Sequence, residues 1–264
     1  MILLETKMAK ENSNSGARWF PVYQSLCEAV VGHSLLPGTK LPEDELASIY
    51  TVSRAVVRSA LQALAHDRLV RLEPNRGAFV AEPSPEEARE VFEARSLIEP
   101  EIAALAAKKA TPKQIEELRQ HLEREHDALQ AGHDSDAIRL SALFHSYLAK
   151  IAGHSIFASF VSELLPRSSL IIALYWQRRE ITCQNDAHHA LVNAIEKHDA
   201  HEAAALMKTH ILDLLSGLSL NRIKKEQKRL ADFCVEAAHI GKALQGFGEP
   251  PVVDNHPDGH GKHE

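Results

Sequence analysis

Apolar side chains in the first third of the chain recur three and four positions apart, and then the period drops to two. Trp19 to Val31 sets Val22, Leu26, Ala29 and Val30 on one helical face, and Gly32 to Gly38 breaks it. A second helix is predicted from Glu43 to about Tyr50, with Leu46, Ala47 and Ile49 available to a core. Thr51-Val52 makes a tight turn, and Ser53 is placed to cap a third helix by accepting from a backbone N–H. That helix, Arg54 to His66, carries an apolar stripe of Val57, Ala60, Leu61 and Leu64. Val70-Arg71-Leu72-Glu73 alternates as a strand does, Pro74-Asn75-Arg76-Gly77 has turn chemistry, and Ala78-Phe79-Val80 returns. Helix, turn, helix and hairpin in that order predict a winged helix-turn-helix with a small β-hairpin wing and Arg76 at its tip.

Beyond a boundary near Ala81-Glu82-Pro83, strand periodicity disappears. Ser84-Pro85-Glu86-Glu87 reads as a cap, a first-turn proline and the glutamate of a capping box. Thr111-Pro112-Lys113-Gln114 repeats the signal, and Asp199 with Glu202 gives it again. Gly132-His133-Asp134 and Gly153-His154-Ser155 read as breaks. Apolar positions such as Val91, Leu97, Ile98 and Ile102, or Leu191, Val192 and Ile195, keep helical spacing, so six or seven helices are expected in one antiparallel bundle. The predicted fold class is mainly α. Residues 1–17 are expected to be a disordered arm, 18–82 the winged helix, 84–220 the bundle, and 221–264 a last helix followed by a disordered tail.

At 264 residues the chain is long enough for about two cores. Its net charge of −6 argues against a nucleic-acid partner until it is divided. Residues 1–80 hold nine Lys and Arg against eight Asp and Glu, a balance of +1, whereas the remainder carries −7. Only the N-terminal part is compatible with DNA, and its basic groups must be clustered rather than abundant. Cys27, Cys183 and Cys234 lie far apart, suit a reducing compartment and are read as small apolar residues. No apolar run is read as transmembrane, and Ile2-Leu3-Leu4 is too short for a signal core, so a cytoplasmic protein without a membrane partner is expected.

Candidate chemistry lies first on the third helix. Arg54, Arg58 and Ser59 share its polar face, with both arginines near the start, where a recognition helix meets base edges and phosphates. Ser53, the wing residue Arg76 and Gly77 complete the candidate DNA-binding set. The equally ordinary reading of such a pattern is a packed helix pair with a solvated basic face.

The run from Pro37 to Val80, PGTKLPEDELASIYTVSRAVVRSALQALAHDRLVRLEPNRGAFV, resembles the GntR family of bacterial transcription regulators. The pattern PGxxL, xELA, VSRxxVRxAL, LxxxxLV and RGxFV is filled almost throughout. Two positions depart from it: Val56 stands where close relatives often have Pro, and Ser59 replaces the usual Glu. Neither removes a base-reading side chain, and Ser59 bears on operator preference.

The second half is similar to the FCD effector domain of the FadR-like subgroup. The resemblance is carried by EARSLIEPEIAALAA, LFHSYLAKIAGH and AHHALVNAIEKHDAHEAAALMKTHI. It implies an all-helical bundle that binds a small molecule, often beside a metal ion. The family's pieces fall on Arg95 with Glu99, Phe144-His145, His188 with Ala194-Ile195, and His210. It thus implies a divalent ion such as Zn²⁺ or Ni²⁺ held by His145, His188 and His210. Imidazoles suit those ions and can converge from separate helices inside a bundle. His121, His126, His189, His201 and the tail histidines are read as surface residues.

The family's Asp, one turn before the first His, is Ser141 here. A hydroxyl is a poorer ligand than a carboxylate, so a metal would rest on three histidines plus water or effector, and a metal-free effector site stays open. Arg95 is the candidate anchor for a carboxylate, because its fork matches one bidentately. The competing reading is an internal ion pair with Glu99. Arg167 is a second effector candidate.

These readings together describe a homodimeric regulator of a pseudo-palindromic operator, responsive to a small carboxylate-bearing metabolite. The rival from another class is a metal-dependent hydrolase using the three histidines. The sequence shows no general base beside them, and Ser141 stands where a carboxylate would serve.

Overall fold

A computed structural model describes residues 18–176 and 182–220. Among them the chain begins with α1 (Trp19–Val31), strand β1 (Lys40–Leu41), α2 (Glu43–Tyr50) and α3 (Arg54–His66), followed by β2 (Val70–Glu73) and β3 (Gly77–Val80). The expected arm over 1–17 and the helix and tail over 221–264 lie outside the described residues. The turn between α2 and α3 is sharp because Thr51 takes the left-handed conformation, φ 55°, unusual for a β-branched residue. Ser53 then caps α3, accepting from the Val56 N–H at 3.4 Å. Leu46 and Tyr50 face the core, whereas Ala47 and Ile49 are only half-buried.

The wing has one more strand than the alternation pattern predicts. β3 pairs antiparallel with β2, Glu73 opposite Gly77, and on its other edge with β1, Lys40 opposite Phe79. A two-residue strand carries no readable period, so β1 shows only once the fold brings it to the edge of β3.

The bundle consists of α4 (Pro85–Lys109), α5 (Pro112–Gln130), α6 (Asp134–Ala152), α7 (Ser155–Tyr175), α8 (Thr182–Glu196) and α9 (Ala200–Ser216). Thr111 and Gln114 form a full capping box, and Asp199 accepts from the Glu202 N–H. Ser84 likewise accepts from the Glu87 N–H, but the box expected there does not close. The Glu87 carboxylate is drawn instead to Arg167, 2.6 Å away on α7. Leu97, assigned to the apolar stripe of α4, is 75% exposed, because six positions after Val91 it falls about 120° from the face that Val91, Ile102 and Ala106 share.

Two hydrophobic clusters result, one under α1–α3 and the wing and the other inside the bundle. α7 serves both: Leu170 is buried in the N-terminal cluster, and Val161, Leu165 and Ile171 in the bundle. Burying one leucine is worth roughly 1.5–3 kcal/mol, so Leu170 contributes to the contact between the winged helix and the bundle. By length and composition α7 could cross a membrane, 21 residues with a mean hydropathy of 1.4, contrary to the sequence reading. Packing against two cores accounts for part of that apolarity, while Ile156 and Phe160 of the same helix are exposed.

Candidate functional site

The polar face of α3 is where the sequence places it. Ser53, Arg54, Arg58 and Ser59 are all exposed, and so are Arg76 and Gly77 at the wing. Gly77 has φ 96°, a conformation in which any other side chain would be strained. Arg76 lies over the Phe79 ring at 5.5 Å and pairs with Glu73 at 2.5 Å. Ser59 Oγ donates back to the Ala55 carbonyl at 3.0 Å.

One relationship could not be read from spacing. The acidic first turn of α2 faces the start of α3, so Glu43 accepts two hydrogen bonds from Arg58, at 3.0 and 2.7 Å, and Asp44 pairs with Arg54. The Arg58 hydrogen bonds hold the Glu43 carboxyl below its usual range. Exposed pairs of this kind are weak and exchangeable, so both arginines remain available to phosphates or base edges.

Inside the bundle, His145 of α6, His188 of α8 and His210 of α9 converge, one ligand nitrogen of each lying within 4.8 Å of the others. All three are buried, and Phe144 stacks on the His188 ring at 4.2 Å. Two carboxylates stand behind them: Glu99 Oε2 is 2.5 Å from His145 Nδ1, and Glu125 Oε2 is 3.4 Å from His188 Nδ1. An imidazole that donates through Nδ1 to a carboxylate turns an Nε2 lone pair the other way, an arrangement common behind metal-bound histidines. The Nε2 atoms of His188 and His210 are buried without a hydrogen-bond partner. Burial also holds the His145 imidazole below its ordinary pKa and that of His210 well below, which keeps both in the neutral form a metal requires. The residues therefore fit a divalent ion.

These carboxylates correct the expectation that no candidate base stands beside the histidines. Burial pushes Glu99 up, but Arg95, followed by His145, more than offsets it and holds the carboxyl at about 2. A group so acidic is a poor general base near neutral pH. Glu125 was readable: it falls on the stripe of Ile115, Leu118 and Leu122, where a charged side chain signals a buried partner. His121 is corrected as well. It is buried, with Nε2 2.8 Å from the Leu140 carbonyl, while His126 and His201 are exposed and His189 is half-buried.

Beside the histidines lies a cavity of about 260 Å³ whose lining includes Arg95, Ser141, His145, Ser168, His210 and His33. Arg95 forms the internal ion pair of one sequence reading and also lines this cavity. Its Nε pairs with Glu99 and its Nη1 donates to Ser168 Oγ at 3.0 Å, while Nη2 is buried without a hydrogen-bond partner. Ser141 lines the same space. Arg167 does not, being held by Glu87. His33 and Ser168 were not identified from sequence, since only the tertiary packing brings them here.

Comparison with known proteins follows the same division. Residues 21–80 match the model of bacterial regulatory proteins of the gntR family, and residues 90–213 match the FCD domain. A Uxu operon regulator of Haemophilus influenzae is 31% identical over 236 residues, covering 82% of each chain. The transcriptional repressor RspR of Escherichia coli is 26% identical over 208 residues, covering 78% of this chain and 90% of its own. Among solved structures, E. coli McbR/YncC superposes with a TM-score of 0.69 at 20% identity, covering 76% of this chain and 96% of that one. A putative GntR regulator from Rhodococcus sp. RHA1 gives 0.66 at 23% identity, with the same coverage; at such identities the likeness is one of fold. With an exposed basic helix face at one end and a helical FCD domain at the other, the chain is a transcription regulator of the GntR family.

Proposed function

We propose that the protein binds a pseudo-palindromic operator as a homodimer and that a small carboxylate-bearing metabolite in the bundle sets its operator affinity. The observation that carries this reading is the Arg95 Nη2, buried without a hydrogen-bond partner at a cavity that His145 and His210 also line. A buried guanidinium arm lacking an acceptor is costly, and a carboxylate oxygen is the natural one to supply it. At about 260 Å³ the cavity lies just below the usual range for drug-sized ligands, which suits a small metabolite.

A divalent ion such as Zn²⁺ or Ni²⁺ would be held by His145, His188 and His210, offering its positive charge and an open coordination position to an anionic ligand. Glu99 and Glu125 orient two of those rings. With Arg95 and such an ion against two carboxylates, the interior is net positive, and Ser141 adds no negative charge where the family has Asp. Both features favour an anion.

Arg54, Arg58, Ser59 and Arg76, with Ser53 and Gly77 shaping their backbone, would contact DNA in the cytoplasm. Two copies related by a dyad would present two such faces, and the exposed Leu97, Ile156 and Phe160 offer apolar surface to a second copy. RspR is named a repressor, and we read this chain as acting in the same sense.

The test is a thermal-shift screen of small organic acids, amino acids and sugar acids, with and without chelator, paired with elemental analysis. A carboxylate that raises the melting temperature more with metal than without supports the reading. Stabilisation by neutral compounds only would overturn it.

A further inference from the structure

His33 has φ 57°, a left-handed backbone that residues other than glycine rarely adopt. It follows the C-terminus of α1 and turns its ring toward α7, with Nε2 2.9 Å from the Ser169 carbonyl and 3.2 Å from Ser169 Oγ. A carbonyl only accepts, so Nε2 bears the proton. Ser169 Oγ in turn donates to the Val31 carbonyl at 2.7 Å, so the end of α1 and α7 exchange hydrogen bonds in both directions. The approach is close on a second side too, because a Cβ on Gly32 would come within 3.1 Å of the Ser135 carbonyl near the start of α6.

Ser168, the preceding residue on α7, is the one that accepts from Arg95. Arg95, Ser168, Ser169 and His33 all line the same cavity. The bundle therefore does not enclose that space alone, since one wall residue belongs to the DNA-binding head.

We propose that His33 is a residue of the effector cavity supplied by the DNA-binding head, and that its contact with Ser169 transmits the state of the cavity to the orientation of α1–α3. The inference rests on the effector reading above and adds the route from ligand to DNA. A ligand or ion that draws on Arg95 alters its bond to Ser168 and, one residue on, the Ser169 carbonyl that holds His33. Local backbone bonds, His33 N–H to the Val30 carbonyl at 3.2 Å and Leu35 N–H to the Ala29 carbonyl at 3.0 Å, hold the left-handed turn itself. The Ser169 contact is therefore the separable link, and loosening it gives the segment a second position against α7. Such a bistable element is what coupling between two sites requires.

The experiment uses the full chain and an operator recovered by in-vitro selection. Binding is measured by fluorescence anisotropy for wild type, His33→Asn, Ser168→Ala and the double variant. Asn tolerates the left-handed backbone, and His33→Gly replaces it if circular dichroism shows a folding defect. Each single change is expected to shift operator affinity about threefold or more, and the double variant to match one single rather than the product of both. A multiplicative double variant would overturn the route.

A second arm uses Zn²⁺ alone as probe. Wild type should change operator affinity about fivefold or more on loading, and His33→Asn less than about twofold at equal zinc content. Equal responses at equal content would overturn the inference. If wild type takes up no zinc, the metal reading fails, and the double-variant comparison decides for or against His33.

Discussion

Arg95 and Glu99, one turn apart on α4, form an ion pair buried to 2% exposure that still leaves Arg95 Nη2 without a hydrogen-bond partner. The internal ion pair thus uses one arm of the guanidinium and leaves another for the proposed ligand, and the same Glu99 reaches His145 with its other oxygen. A single carboxylate ties the candidate anion anchor to a candidate metal ligand.

Arg95→Lys keeps the charge but loses the fork, so we expect the protein to fold and bind operator while most of its response to carboxylate disappears. Arg95→Met should destabilise the fold by about 3–5 kcal/mol, because Glu99 is then a buried charge without its counter-ion. Chemical denaturation of both variants checks this. Equal stability of Arg95→Met and wild type would show that Glu99 does not depend on Arg95.

Ser141→Asp places a carboxylate one turn before His145, on the cavity wall. Metal occupancy of the purified protein should rise, and the affinity for an anionic ligand should fall as the interior loses positive charge. Elemental analysis and calorimetry on wild type, Ser141→Asp and His188→Ala read both effects. Unchanged metal content in Ser141→Asp would place the ion elsewhere.

Arg58→Ala should weaken operator binding roughly five- to hundredfold if Arg58 reads a base, with little change in the far-UV spectrum. Its pair with Glu43 adds a second expectation: Glu43→Gln releases Arg58 and should tighten binding to DNA, most visibly at low salt. A salt series in which Arg58→Ala tracks wild type would remove α3 as the recognition helix.

His33, His121, His145 and His210 all have pKa values lowered chiefly by burial. The unfolded chain then binds more protons than the folded one as pH falls below 6.5, so stability should be level above that value and decline beneath it. The slope can reach about 1.4 kcal/mol per pH unit for each group. Glu99, held at about 2, stays charged throughout and adds no slope above pH 4.5. Denaturant melts of metal-free protein between pH 7.5 and 5.5 test the sign; rising stability on acidification would contradict the burial of these neutral rings.

Much of the fold was legible because its signals are local. Ser53, Ser84, Thr111 and Asp199 each accept the hydrogen bond that their position predicts. His145, His188 and His210 were reached through resemblance, since sixteen histidines make spacing alone uninformative. The pairing of Glu43 and Asp44 with the arginines of α3, the strand at Lys40-Leu41, and the arrival of His33 and Ser168 at one cavity depend on packing between elements. No periodicity along the chain encodes them. His121 shares the apolar stripe of Leu118 and Leu122, so its burial is legible in the spacing, against the surface reading.

The central claim is that an anion bound beside the three histidines changes how the protein holds its operator. The most direct measurement is operator anisotropy for chelated and Zn²⁺-loaded protein across a panel of small carboxylates, repeated with His188→Ala and Arg95→Lys. We expect at least one carboxylate to change affinity by about fivefold or more in the loaded wild type, and neither variant to respond. Carboxylate-independent operator binding in a protein that holds no metal after incubation with Zn²⁺ or Ni²⁺ would contradict it.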